Sequence, residues 1–310
     1  MKLIETIWVK GICSIFFFLC FIPVASASIK NIPRNEHPTS TQADARKYIA
    51  QLSNLASSEH WPNVKPALFM ENVKINVDEP LGLYAGRGTN FCGYGALSYL
   101  LLQDDPLGYA KFMVDLYRNG QATMGQSVIK PSNAVRKAAG TLIYKGLLDV
   151  RPAEQMLYLS LADHFKGYVN IFNRHYKQGD ENTFWASVNY AKFNRMVRHL
   201  LNYQVNARGT DLRQPSVGNT YDYINRKMKQ GGIIVLYLNN RILHKKKHEN
   251  IKLQVPTHFV ILENISKTDD VITMVFWDYG GKTLLQIDSE FLHKIVFGIS
   301  QCTKKGNIEK

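Results

Sequence analysis

Thr89-Asn90-Phe91-Cys92-Gly93-Tyr94-Gly95-Ala96-Leu97-Ser98-Tyr99-Leu100 is the stretch on which the reading of this chain turns. Small and apolar residues return at helical spacing after the cysteine (Ala96, Leu97, Leu100, Leu101), so the pattern predicts a buried helix with Cys92 in its first turn. That turn carries unpaired amides and the positive end of the helix dipole, and both favour a thiolate over a thiol. Far downstream, Thr257-His258-Phe259-Val260-Ile261-Leu262 puts a histidine at the head of an apolar strand. Val275-Phe276-Trp277-Asp278-Tyr279-Gly280-Gly281 then puts an aspartate at the end of the next. A thiolate, an imidazole and a carboxylate in that order are the parts of a cysteine nucleophile site, which makes Cys92, His258 and Asp278 the candidate catalytic residues.

Outward from these motifs the chain divides into two textures. Thr41 to Ser57 has Ala45, Tyr48, Ile49, Leu52 and Leu55 on one side of a helix, and Pro106 to about Tyr203 reads as almost wholly helical. The helices expected there are Leu107–Arg118, Ser132–Lys145, Pro152–Phe165 and Thr183–Gln204, with Pro131 and Pro152 suited to first turns. After Pro215 a short helix, Thr220 to Gln230, ends at Gly231-Gly232. Strands are expected at Ile233–Leu238, Phe259–Asn264, Val271–Trp277, Thr283–Ile287 and Ile295–Ile299. A helical half bearing the nucleophile and an antiparallel half bearing the histidine and aspartate describe an α+β fold.

The motifs together resemble the papain-like cysteine peptidase superfamily, most of all the peptidase domains of bacteriocin-processing transporters. The likeness is carried by Cys92-Gly93 at a helix start, the His258-Phe259-Val260-Ile261-Leu262 strand and the Trp277-Asp278-Tyr279-Gly280-Gly281 turn. Tyr221-Asp222-Tyr223-Ile224 and Gly231-Gly232-Ile233-Ile234-Val235-Leu236 are also similar to that group's helix, glycine and first core strand. The resemblance covers Gly86–Ser98 and about Ser216–Ser300. It implies a papain-like catalytic domain over 41–302, with a Cys-bearing central helix packed on an antiparallel sheet. Residues at about 106–205 stand outside the likeness and read as a large helical insertion that caps the cleft. The implied activity is that of a thiol peptidase or amidase working through an acyl-enzyme.

Such enzymes usually carry a glutamine a few residues before the cysteine, and Tyr84 to Phe91 has none. Asn90 is the candidate amide donor for the oxyanion, with the Cys92 backbone N–H as its partner, and Arg87 is the lesser candidate. The departure keeps open a transglutaminase-like acyl transferase and, outside the enzymes, a non-catalytic papain-like binding module. No His-Glu-x-x-His, paired Cys-x-x-Cys, phosphate loop or Gly-x-Ser-x-Gly occurs, so neither cofactor nor metal is expected.

The first residues address the chain. Lys2 and Lys10 precede the apolar run Gly11 to Ile22, and Ala25-Ser26-Ala27 offers a cleavage site, so 1–27 reads as a signal peptide with Ser28 as the new start. Residues 28–40 form a flexible lead-in and 303–310 a basic tail. Cleavage removes Cys13 and Cys20 and leaves Cys92 and Cys302, either bridged or free. The whole chain carries a formal charge of +13; losing Lys2, Lys10 and Glu5 with the leader takes it to about +12, which suits anionic envelope surfaces. The basic residues are scattered and no nucleic-acid-binding motif is present, so no specific nucleic acid is expected. The dense run Arg241 to His248 reads as an exposed loop. The chain is therefore expected to be secreted or periplasmic, not an integral membrane protein after processing. Its expected partner is a peptide, protein or peptidoglycan-peptide substrate.

Overall fold

The computed structural model describes residues 38–305 except 53, 87–88, 144–149, 167–174, 241–257 and 279. The expected signal peptide, nearly all of the lead-in, Arg87, the basic run from Arg241 and the last five residues of the chain lie outside the described residues. The described chain is α+β, with one antiparallel six-stranded sheet and helices on both of its faces.

The sheet contains β3 (Tyr203–Gly209), β4 (Ile233–Leu238), β5 (His258–Thr268), β6 (Val271–Asp278), β7 (Gly281–Ile287) and β8 (Val296–Lys304), in the order β3-β8-β4-β5-β6-β7. Its central strands are apolar on both faces because both faces are covered. Along β4, Val235 and Tyr237 enter the core shared with the helical half, while Ile234, Leu236 and Leu238 enter a second core. That second core is closed by Ile224 and Met228 of α8 (Thr220–Lys229) and by Leu292 and Ile295 of α9 (Ser289–Ile295). In β5 the period of two repeats, with Phe259 and Ile261 on one side and Val260 and Leu262 on the other.

The helical half is built from α1 (Gln42–Ala50), α2 (Pro66–Asp78), α3 (Cys92–Asp104), α4 (Pro106–Asn119), α5 (Asn133–Ala138), α6 (Pro152–Phe165) and α7 (Tyr190–Leu200). Prolines open α2, α4 and α6 at positions where a missing N–H costs nothing. Asp105 caps α4 by accepting from Gly108 N at 2.9 Å.

Several expectations shift. The helix expected from Thr41 ends at Ala50, although Leu52 and Leu55 still pack on the core. The helix expected over Ser132–Lys145 ends at Ala138, because Gly140 turns left-handed (φ 87°) where a side chain would strike Asn63 O. The helix expected over Thr183–Gln204 starts only at Tyr190, where the Asn189 side chain accepts from Lys192 N at 2.7 Å. Tyr203 already belongs to β3, and a hairpin of β1 (Ala122–Met124) and β2 (Ser127–Ile129) interrupts the helical region. Outside the expected elements, Phe69, Val73 and Val77 form the buried stripe of α2. Ile295 closes α9 instead of opening a strand, and β8 runs on to Lys304, so Cys302 lies inside a strand and the basic tail starts later than 303.

Nor is the region 106–205 an appended cap. Side chains of α4, α6 and α7 share one continuous core with α3 and with the near face of the sheet.

Candidate active site

Cys92 is the first residue of α3, and no side chain caps the helix at Phe91. From Gly93 to Leu102 every residue of α3 is buried, which leaves the half-buried Cys92 as the point where the start of the helix meets solvent. Two glycines allow this depth. A Cβ on Gly93 would lie 3.1 Å from Val188 Cβ and 3.4 Å from the Phe259 ring, and one on Gly95 would lie 2.8 Å from Ala85 Cβ. The helix therefore rests directly on β5 on one side and on the pre-cysteine loop on another. That loop is held by Thr89, whose hydroxyl reaches Ala85 O (2.5 Å) and Gly86 O (3.1 Å), and by Tyr158 of α6, which donates to Tyr84 O at 3.4 Å.

His258 is the first residue of β5, opposite Leu238 of β4, and is 2 % exposed. The next residue anchors it: the Phe259 ring stacks on Phe193 of α7 and on Tyr237 of β4, each at 4.3 Å. Asp278 is the last residue of β6. Its neighbour Trp277 stacks on Tyr99 of α3 at 4.7 Å and donates from Nε1 to Leu81 O at 3.1 Å. These anchors fix the strand ends, and Asp278 Oδ1 lies 2.5 Å from His258 Nε2.

The imidazole thus spends Nε2 on the carboxylate, while the Cys92 thiol acts on the same ring by a hydrogen bond and by charge. Burial alone would lower the His258 pKa. The Asp278 hydrogen bond, the Cys92 hydrogen bond and the charges of both outweigh it and push the ring up to about 9. The structure thus puts Asp278 on the His258 ring and Cys92 within its influence.

Asn90 stands beside them but is already engaged. Its Nδ2 donates to Thr183 O at 2.8 Å, and its backbone N–H donates to Glu181 O at 2.8 Å. Of the two acceptors, Thr183 is the first residue of an expected helix and Glu181 precedes it, and nothing in the composition of this segment places it beside Asn90. Cys302 is remote from such chemistry: it is a free thiol buried in β8, and burial pushes it up to about 12. Cys92 is likewise a thiol and not half of a disulfide. Among the described residues no group of three or more His, Cys, Asp and Glu could hold a metal ion, and no helix is long and apolar enough to cross a membrane.

Comparison with known proteins leaves the site to speak for itself: no model of a protein family and no curated protein matches the chain.

Proposed function

We propose that this protein is a papain-like thiol peptidase or amidase in which Cys92 is the nucleophile, His258 the general base and acid, and Asp278 the residue that orients the ring. One observation carries the reading. A buried imidazole is held by a carboxylate through Nε2, and a thiol at a helix N-terminus acts on the same ring. A purely structural histidine needs no thiol partner, and a raised imidazole pKa beside a cysteine favours the thiolate–imidazolium pair.

In the proposed reaction the Cys92 thiolate attacks an acyl carbon, and the oxyanion is met by the Cys92 backbone N–H. The Asn90 amide has two N–H donors, and one is spent on Thr183; the other is the candidate second donor. His258 then protonates the leaving amine, and water, activated by the same ring, releases the acyl group. Asp278 keeps Nε2 protonated and supports the charge on the imidazolium.

The test is alkylation of the full chain by iodoacetamide. Cys92 is expected to react at neutral pH about 10-fold or more faster than an ordinary thiol, and His258→Ala is expected to remove the excess. A Cys92 that reacts at the ordinary rate whether or not His258 is present overturns the reading and leaves the binding module. The proposal includes export to the cell envelope or beyond, where a peptide, protein or peptidoglycan-peptide substrate would be met. N-terminal sequencing of the exported protein should begin at Ser28, and a soluble form that keeps Phe16 to Phe18 would refute it.

A further inference from the structure

Cys92, Gly95 and Tyr99 stand at i, i+3 and i+7 of α3, so they share one face of the helix. The indole of Trp277 lies along the last two. It stacks on the Tyr99 ring at 4.7 Å with 6° between the planes, and a Cβ on Gly95 would lie 3.6 Å from its Cη2. Its Nε1 donates to Leu81 O at 3.1 Å, in the chain that leads to the pre-cysteine loop.

Both strands beside β6 close on the same ring pair. Tyr99 donates to Glu263 Oε1 at 3.3 Å, and Glu263 Oε2 is paired with Lys282 Nζ at 2.6 Å. Lys282 of β7 is the register partner of Trp277, and Glu263 is the extra residue of the β5 bulge between Leu262 and Asn264. The ion pair is partly exposed and contributes little by itself. The two stacked rings are buried and make the stronger contact. α3 is thus fixed to three adjacent strands at one spot, and the residue at its centre is followed directly by Asp278, which holds His258. A hydrogen bond weakens steeply with angle and distance, so a small shift of this strand end loosens the carboxylate from the ring while the sheet stays intact.

We propose that Trp277 is a positioning residue: it clamps the strand that ends in Asp278 to the face of α3 that begins at Cys92, and so sets the spacing of aspartate, histidine and helix start. The inference rests on the reading of Cys92 as the nucleophile, and the experiment separates the two.

Three variants of the full chain are compared with the parent. Trp277→Phe keeps a ring for Tyr99 but loses the donor to Leu81 O and the reach to Gly95. Tyr99→Leu strips the clamp from the helix side. Phe276→Leu is the control, a neighbouring ring buried in the second core on the other face of β6. Each is followed by urea unfolding, by the iodoacetamide rate of Cys92 at neutral pH, and by the ring resonances of 15N-histidine-labelled protein across pH, with His258 assigned by its loss in His258→Ala. All three are expected to lower the urea midpoint. Only Trp277→Phe and Tyr99→Leu are expected to slow Cys92, by about 5-fold or more, and to move the His258 titration acidward by about half a pH unit or more. A rate and a titration that match the parent's in a cooperatively folded Trp277→Phe or Tyr99→Leu overturn the Trp277 assignment alone. So does a Phe276→Leu that loses both to the same degree. A parent Cys92 that reacts at the ordinary rate overturns the nucleophile reading and this inference with it.

Discussion

His258 carries the chemistry of the site in its two nitrogens, and the sign of its titration follows from what each one touches. Its pKa stands at about 9 because Asp278 and Cys92 outweigh burial. The imidazolium charge is therefore fully present below the ordinary histidine value of 6.5 and is lost as pH rises through about 9. The rate of Cys92 acylation by an amide probe, whose leaving group needs the ring proton, is expected to fall on the alkaline side near that value. In Asp278→Asn, burial acts against a single remaining partner, so that limb is expected to move acidward by about one pH unit or more. A pH–rate profile that does not move would remove Asp278 from the site. Gly95 is a second residue whose effect can be argued from size. An alanine in mid-helix ordinarily gains about 1 kcal/mol over glycine. Here its Cβ would sit 2.8 Å from Ala85 Cβ, and overpacking of that kind costs about 1–3 kcal/mol. Gly95→Ala is expected to be net destabilising in urea titration and to slow Cys92 labelling, since Ala85 belongs to the loop that precedes the nucleophile. Most of this site was legible in the sequence because its parts sit at element ends: Cys92 opens an apolar helix, His258 opens an apolar strand and Asp278 closes one. The engagement of Asn90 was not legible, because its partner at Thr183 is far along the chain and offers only a backbone carbonyl.

Among the elements, α6 supports the site from behind. Its Glu154 is wholly buried and paired with Arg151 at 2.7 Å, while Arg151 also donates to Asn76 of α2, and Asn76 donates to Tyr109 of α4 at 2.9 Å. One turn on, Tyr158 holds Tyr84 O in the pre-cysteine loop. Burial pushes the Glu154 carboxyl up, the Arg151 charge draws it partly back, and it rests at about 7 against an ordinary 4.5. The folded protein thus binds a proton that the unfolded chain releases between those values, so stability is expected to fall as pH rises from about 4.5 to about 7. The groups facing Glu154 in this balance are Arg151, Asn76, Tyr109 and Tyr158. Glu154→Gln is expected to lack that fall when urea midpoints are compared across the range, and an unchanged slope would refute the assignment. The sequence showed α4 and α6 almost to the residue, because prolines open both and apolar periodicity fills them. It hid the end of α5 and the start of α7, whose limits are set by Gly140 against Asn63 O and by the Asn189 cap. It also hid β3, whose alternation Tyr203, Val205, Ala207 follows a helix without a break and becomes visible only beside β8.

The described protein from 38 onward belongs to one compact unit, and the helical region 106–205 shares its main core with α3 and the near face of the sheet. Phe193 of α7 backs the strand that positions His258, and Tyr190 reaches Ile299 O at 2.8 Å and Ser300 Oγ at 2.9 Å in β8. Replacing 106–205 by a short linker would strip Tyr190 from the Tyr237 ring and remove the first three residues of β3, the partner of β8. The shortened protein is expected to lose cooperative unfolding and the fast reaction of Cys92 together. A shortened chain that kept a sharp urea transition would show that the region is a separable cap after all.

The order of strands has a consequence in time. β8 lies between β3 and β4, so the sheet stays split until the chain has been made through Lys304. Pairing across so long a stretch of chain is slow to form. The nucleophile is synthesised early, but the strand that joins the two parts of its scaffold comes last. A growing or threading chain therefore carries Cys92 on an unfinished sheet. On the proposed reading, the scaffold of the reactive pair would be completed only when β8 joins its two parts, which would shield the cell that makes it from a premature activity.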